Sequence, residues 1–134
     1  MNASDITERT EGSDADDLEV LRQAAAELTA ADLMELKHLP MPPRAVEIVI
    51  KALMIILGED DVTWAHCKKV IQKKDLLKRL MAIEPEDITA EQFKDLTPLV
   101  NLVSYKYILY ANKSVAPLWA WILTMYYERK KVKA

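Results

Sequence analysis

Apolar residues recur along this chain at helical spacing almost wherever they occur. From residue 17 onward Leu18, Leu21, Ala25 and Leu28 follow a 3-4-3 rhythm, the seam spacing of a two-stranded coiled coil. The pattern predicts a helix running through "AAAELTAADLMELKHL" to Pro40, where proline removes a helical donor and disfavours helix in the residue before it. Pro42 and Pro43 can open the next helix, because a proline in the first turn loses only an amide that has no intrahelical partner. Val46, Val49, Ile50, Leu53, Met54 and Leu57 then recur at i, i+3, i+4 and i+7, which predicts one buried face with Arg44, Glu47 and Lys51 on the other, ended by Gly58.

Shorter helices follow. "DVTWAHCKKVIQ" reads as a helix with Thr63 near its start and Trp64 as an anchor, and "KKDLLKRLMAI" as another with Asp75 in its first turn. In "EPEDITAEQFKDL" Thr89 stands three residues before Gln92, the spacing of a capping box. The last segment, from Ser104 to Lys133, reads as one long helix kinked at Pro117. After the kink Ile122, Met125, Arg129 and Val132 form a second 3-4-3 seam. The expected fold is all-α: a small helical bundle over residues 40–117 capping a short antiparallel two-stranded coiled coil of residues 17–39 and 118–134. Pro42, Pro43 and Pro117 mark junctions where helix contacts can change without unfolding the core, which makes them hinge candidates.

Composition narrows the function. A chain of 134 residues with 51% hydrophobic content has the size of one ordinary domain. Two glycines are too few for glycine-rich phosphate loops. Cys67 is the only cysteine and no signal peptide is evident, so a reducing cytoplasmic setting is expected. Even the longest apolar runs, such as Ala52 to Leu57, are far too short to span a bilayer.

The net charge of −3 conceals an asymmetry. Residues 1–20 hold seven acids against Arg9, a balance of −6, which leaves +3 for residues 21–134. "MNASDITERTEGSDADD" has almost no large apolar residues, so residues 1–16 are expected to form a disordered acidic segment. The body is basic, with Lys68, Lys69, Lys73, Lys74, Lys78 and Arg79 clustered around a lone Asp75. His66 and Cys67 are adjacent and point apart on a helix, a poor dyad or metal pair. No carboxylate pair, metal spacing or nucleophile with a base can be assembled, so no catalytic residue, metal or cofactor is expected. Trp64, Trp119 and Trp121 read as core, and the acidic overall balance argues against nucleic acid.

The stretches "PPRAVEIVIKALMIILGE", "TWAHCKKVI", "LLKRL" and "ANKSVAPLWAW" together resemble the stalk tip of dynein heavy chains. That family has a proline pair before a helix of the form PPxxVxxxxxxxxxLLGE, a tryptophan soon after, and a late proline four residues before a tryptophan. The matching positions are Pro42, Pro43, Val46, Leu57, Gly58, Glu59, Trp64, Pro117 and Trp121. The resemblance spans roughly Ala24 to Lys131.

It implies a non-catalytic microtubule-binding domain with no nucleotide site, no membrane partner and no nucleic acid partner. It also implies two stalk helices that slide past each other to switch affinity. In relatives the first helix after the prolines docks between tubulin subunits, helped by basic residues on neighbouring helices. Carried onto this chain, the contacts fall on Arg44, Lys51, Lys73, Lys74, Lys106 and Lys113, facing an acidic tubulin surface.

Two family cations are replaced. Glu47 stands where a lysine often follows PPxxV, and Tyr110 where an arginine often sits seven residues before the late proline. Lys51 and Lys106 lie four residues from these positions, one turn along the same helix face. Such variation suits an axonemal rather than a cytoplasmic dynein, located in the cytoplasm and cytoskeleton, in the axoneme of a cilium or flagellum. The alternative reading is a docking module for a leucine-rich-repeat axonemal light chain.

Overall fold

The computed structural model describes residues 14–132, and within them it is all-helical, with eight α-helices and no strand. These are α1 (Asp14–Ala25), α2 (Ala30–Leu36), α3 (Arg44–Leu57), α4 (Trp64–Ile71), α5 (Leu76–Met81), α6 (Ala90–Leu102), α7 (Tyr105–Ala111) and α8 (Ala116–Lys131), with a 3-10 turn at Pro85–Asp87. The expected disordered segment lies outside the described residues up to residue 13. Residues 14–16 are already helical, so α1 starts three residues before the seam does.

α1 and α8 form the most extensive helix pair. Arg22 Nη2 donates to Glu128 Oε1 at 2.6 Å, and Ser114 Oγ donates to Glu35 Oε2 at 2.8 Å. The chain therefore advances on one side as it retreats on the other, which is an antiparallel arrangement. Burial alone would raise the Glu128 carboxyl, but the hydrogen bond and charge of Arg22, with Lys131 behind it, hold it below the ordinary value.

The first seam does not run unbroken to Pro40. α1 stops at Ala25, and Thr29 starts α2 with a reciprocal cap, its hydroxyl accepting from the Asp32 N–H and its own N–H donating to the Asp32 carboxylate. Two donors satisfied at once outweigh one more turn of continuous helix. Leu18, Leu21 and Leu28 are still buried.

α3 is the central helix. It packs on α6, α7 and α8, and nine of its residues are buried. Burial extends well beyond the single face expected, to Ala45, Ile48, Ala52 and Ile56, because neighbours press on it from three sides. Only Arg44, Glu47 and Lys51 are fully exposed on it. Gly58 ends it at φ 76°, a left-handed conformation that costs glycine least.

α8 is the second buried helix, with Trp119 and Ile122 at 0% exposure. Pro117 lies in its first turn, where it starts the helix instead of kinking it. The true interruption is the four-residue stretch Asn112–Val115 just before it, so the expected long helix is two helices. Arg129 also leaves its expected seam position: its Nε donates to Ile88 O at 2.6 Å, and its guanidinium lies 5.5 Å from the Phe93 ring centre. Phe93 stacks on Tyr126 at 4.6 Å, and the Tyr126 hydroxyl meets Thr97 Oγ1 at 2.8 Å. These contacts fasten α6 to α8, while Gln92 completes the predicted box with Thr89 and donates to Ile55 O of α3 at 2.9 Å.

Candidate functional site

α3 sets the frame for the charged surface. Arg44 is its first residue, directly after Pro43, which supplies no side-chain cap. The first-turn N–H groups of a helix favour negative charge, and a cation there forfeits about 0.3–1 kcal/mol. Helix stability therefore does not account for Arg44. Glu47 and Lys51 continue the exposed stripe and make no ion pair with each other; the ion-paired basic side chains among the described residues are Arg22, His66 and Lys131.

At this end of α3 the chain turns from α6 into α7. Arg44 and Ile48 join Leu102, Val103, Ser104 and Tyr107 around an open depression. Ser104 accepts from the Tyr107 N–H at 3.1 Å and so starts α7, and Ile108, at 0% exposure, pins the helix to the body. Lys106 is exposed in the first turn.

The far end of α3 is closed by Glu59, whose N–H donates to Met54 O at 2.9 Å. Its carboxylate meets His66 Nε2 at 2.6 Å. That hydrogen bond holds the Glu59 carboxyl below the ordinary value, against some desolvation, with further attraction from the His66, Arg79 and Lys73 charges. A lowered folded value means that Glu59 contributes stability above the ordinary glutamate value of 4.5, and that this contribution is lost as pH falls through the folded value. Urea midpoints of the unaltered chain should therefore drop more steeply than those of Glu59→Gln between about pH 5 and pH 3. Parallel curves would show that the pair carries no linkage.

The six basic residues fall into separate groups. Arg44 and Lys106 flank the depression at one end of α3, Lys51 lies along its stripe, and the Lys73 charge reaches Glu59 at the other end, roughly 20 Å away for a helix of this length. Lys74 follows Lys73 in the α4–α5 connection. Lys113 sits in the turn before α8, beside the Ser114 that bonds α2. All six are exposed.

Of the hinge candidates, Pro42 is half-buried and Pro43 exposed at the start of α3. One clamp across this proline junction was not readable from spacing: Trp64 Nε1 donates to Leu39 O at 3.1 Å, so the expected anchor holds the loop as well as the core. Cys67 is buried beside it, and burial pushes its thiol upward, away from reactivity. Among the described residues no group of three or more His, Cys, Asp or Glu side chains could hold a metal. No described helix is long and apolar enough to cross a membrane.

No protein-family model matches the chain. Individual proteins do. Cytoplasmic dynein 2 heavy chain 1 of Caenorhabditis elegans is 29% identical over 105 residues, 75% of this chain. Dynein axonemal heavy chain 2 of Homo sapiens is 32% identical over 79 residues, 59% of the chain. A cytoplasmic dynein heavy chain of Caenorhabditis elegans is 28% identical over 115 residues, 78% of the chain. The chain is homologous to a segment of dynein heavy chains. It spans 2% of the length of these relatives, and cytoplasmic and axonemal dyneins match it at similar identity.

Proposed function

We propose that this dynein-related segment is a microtubule-binding tip, with the bundle built on α3 docking on tubulin and the α1–α8 pair forming the start of a stalk. The observation that carries the reading is Arg44, an exposed and unpaired cation placed where the α3 dipole disfavours it. Lys51, Lys106, Lys113, Lys73 and Lys74 extend the positive surface on either side, and an acidic partner is its natural complement. Pro42, Pro43 and the Asn112–Val115 break supply a joint on each strand between bundle and stalk. Changes in α1–α8 stagger then alter how the tip presents α3. Glu47 and Tyr110, in place of the cations common in cytoplasmic relatives, favour an axonemal motor in a cilium or flagellum.

Co-sedimentation with microtubules across a salt series tests this. Binding should be tight at low salt and weaken steeply as the screening length falls below about 10 Å, with no response to nucleotide. Arg44→Glu should lower affinity without lowering the urea midpoint, because an acid in the first turn of α3 suits the dipole. Absence of binding at low salt, or an Arg44→Glu chain that pellets as well as the unaltered one, would overturn the assignment of this face.

A further inference from the structure

The α6–α7 corner is unusually apolar for a basic surface. Tyr110 is 92% exposed, Leu102 53% and Tyr107 49%. α7 buries Ile108 fully, packs half-buried Tyr105 against the core and leaves its other residues exposed. Lys106, Tyr107 and Tyr110 share one side of this helix, since residues three and four apart face the same way. Solvent leaves large aromatic side chains in such positions at a cost in apolar hydration, and no intramolecular packing offsets it at Tyr110.

We propose that this corner adds an apolar grip to the contact with the acidic partner, with Tyr110 as its anchor and Tyr107 and Leu102 at the lip of the adjoining depression. The inference rests on the microtubule-binding reading. Charge complementarity selects the occupant: Arg44 and Lys106 flank the corner without acidic partners, so a second copy of this chain would bring like charge against like, whereas the tubulin surface brings acids. Tyrosine suits the role because its ring offers contact area at little rotamer cost while its hydroxyl stays wet at a polar rim. An apolar anchor is also insensitive to screening. Replacing an arginine by Tyr110 thus exchanges a salt-sensitive contact for a salt-resistant one at the same place on the helix.

The test is co-sedimentation of the full chain with microtubules at low and high salt, comparing Tyr110→Ala, Tyr110→Phe and Tyr110→Arg. Tyr110→Ala should weaken binding about tenfold at every salt concentration, leaving the slope of affinity against salt unchanged. Tyr110→Phe should bind like the unaltered chain. Tyr110→Arg should bind at low salt but with a steeper slope. Urea midpoints should coincide for all four chains, because Tyr110 is almost wholly exposed. If the unaltered chain binds and Tyr110→Ala binds equally well, the apolar grip is wrong while the microtubule reading stands. If the unaltered chain does not bind, that reading falls and takes this partner with it. A Tyr110-dependent dimer, seen by sedimentation of the protein alone, would overturn the choice of occupant.

Discussion

Trp119→Ala should remove a large part of the bundle's stability, read as a steep fall of its urea unfolding midpoint. Trp119 is the largest fully buried side chain, at 0% exposure. It stands on α8, which touches α1, α3, α6, α7 and the 3-10 turn, so its cavity would open where most of the fold converges. Replacing a buried tryptophan by alanine costs about 3–5 kcal/mol, against a total of about 5–15 kcal/mol for a typical domain. Its indole Nε1 has no hydrogen-bond partner, and a buried donor left unsatisfied costs about 1–3 kcal/mol. Trp119→Phe removes that donor together with part of the ring, so the two changes oppose each other. The phenylalanine variant should therefore lose less than half as much stability as the alanine variant in urea unfolding. Equal losses would mean that the phenylalanine ring recovers none of the lost packing.

What could be read in advance was local. The prolines, the period of Val46 to Leu57 and Gly58 delimit α3 because each acts within a few residues, and the Thr89–Gln92 box is complete in four. The Thr29–Asp32 box was equally short, but its signal competed with the apolar seam that runs across it, and the seam alone predicted a longer helix. Arg129 fits the heptad period as well as any polar residue can. Its partners Ile88 and Phe93 lie more than thirty residues away, and no spacing rule reaches that far. The candidate surface divides in the same way. Exposure of Arg44, Glu47 and Lys51 follows from helix periodicity, whereas the depression beside Arg44 depends on how α6 turns into α7 against α3. Tyr110 drew notice only as a departure from the family pattern; its isolation from the body is a tertiary fact.

Locking the stagger of α1 against α8 should change microtubule affinity by tenfold or more, if the proposed coupling is correct. The Arg22–Glu128 bond joins α1 to α8 at the observed stagger, and by its count Ala25 lies level with Met125. A slip of one helical turn, about 5.4 Å, would bring Leu21 level with Met125 instead. The interface tolerates such a slip better than the bundle would, because Ala25 is small and its contacts can re-pack, while Phe93, Tyr126 and Arg129 interlock in a single way. Met125→Cys can therefore be paired with Ala25→Cys to hold one stagger or with Leu21→Cys to hold the other, after Cys67→Ala removes the native thiol. Both disulfides should form on oxidation, and both should be lost together with their effect on reduction. A tip responds to its stalk only through the fraction of molecules in the competent state, so locking raises or lowers apparent affinity by the change in that fraction. If the two oxidised chains bind microtubules equally, the stalk helices carry no signal and the segment is a passive anchor. If the Leu21–Met125 disulfide never forms, the slipped stagger is too rarely populated to serve as a switch.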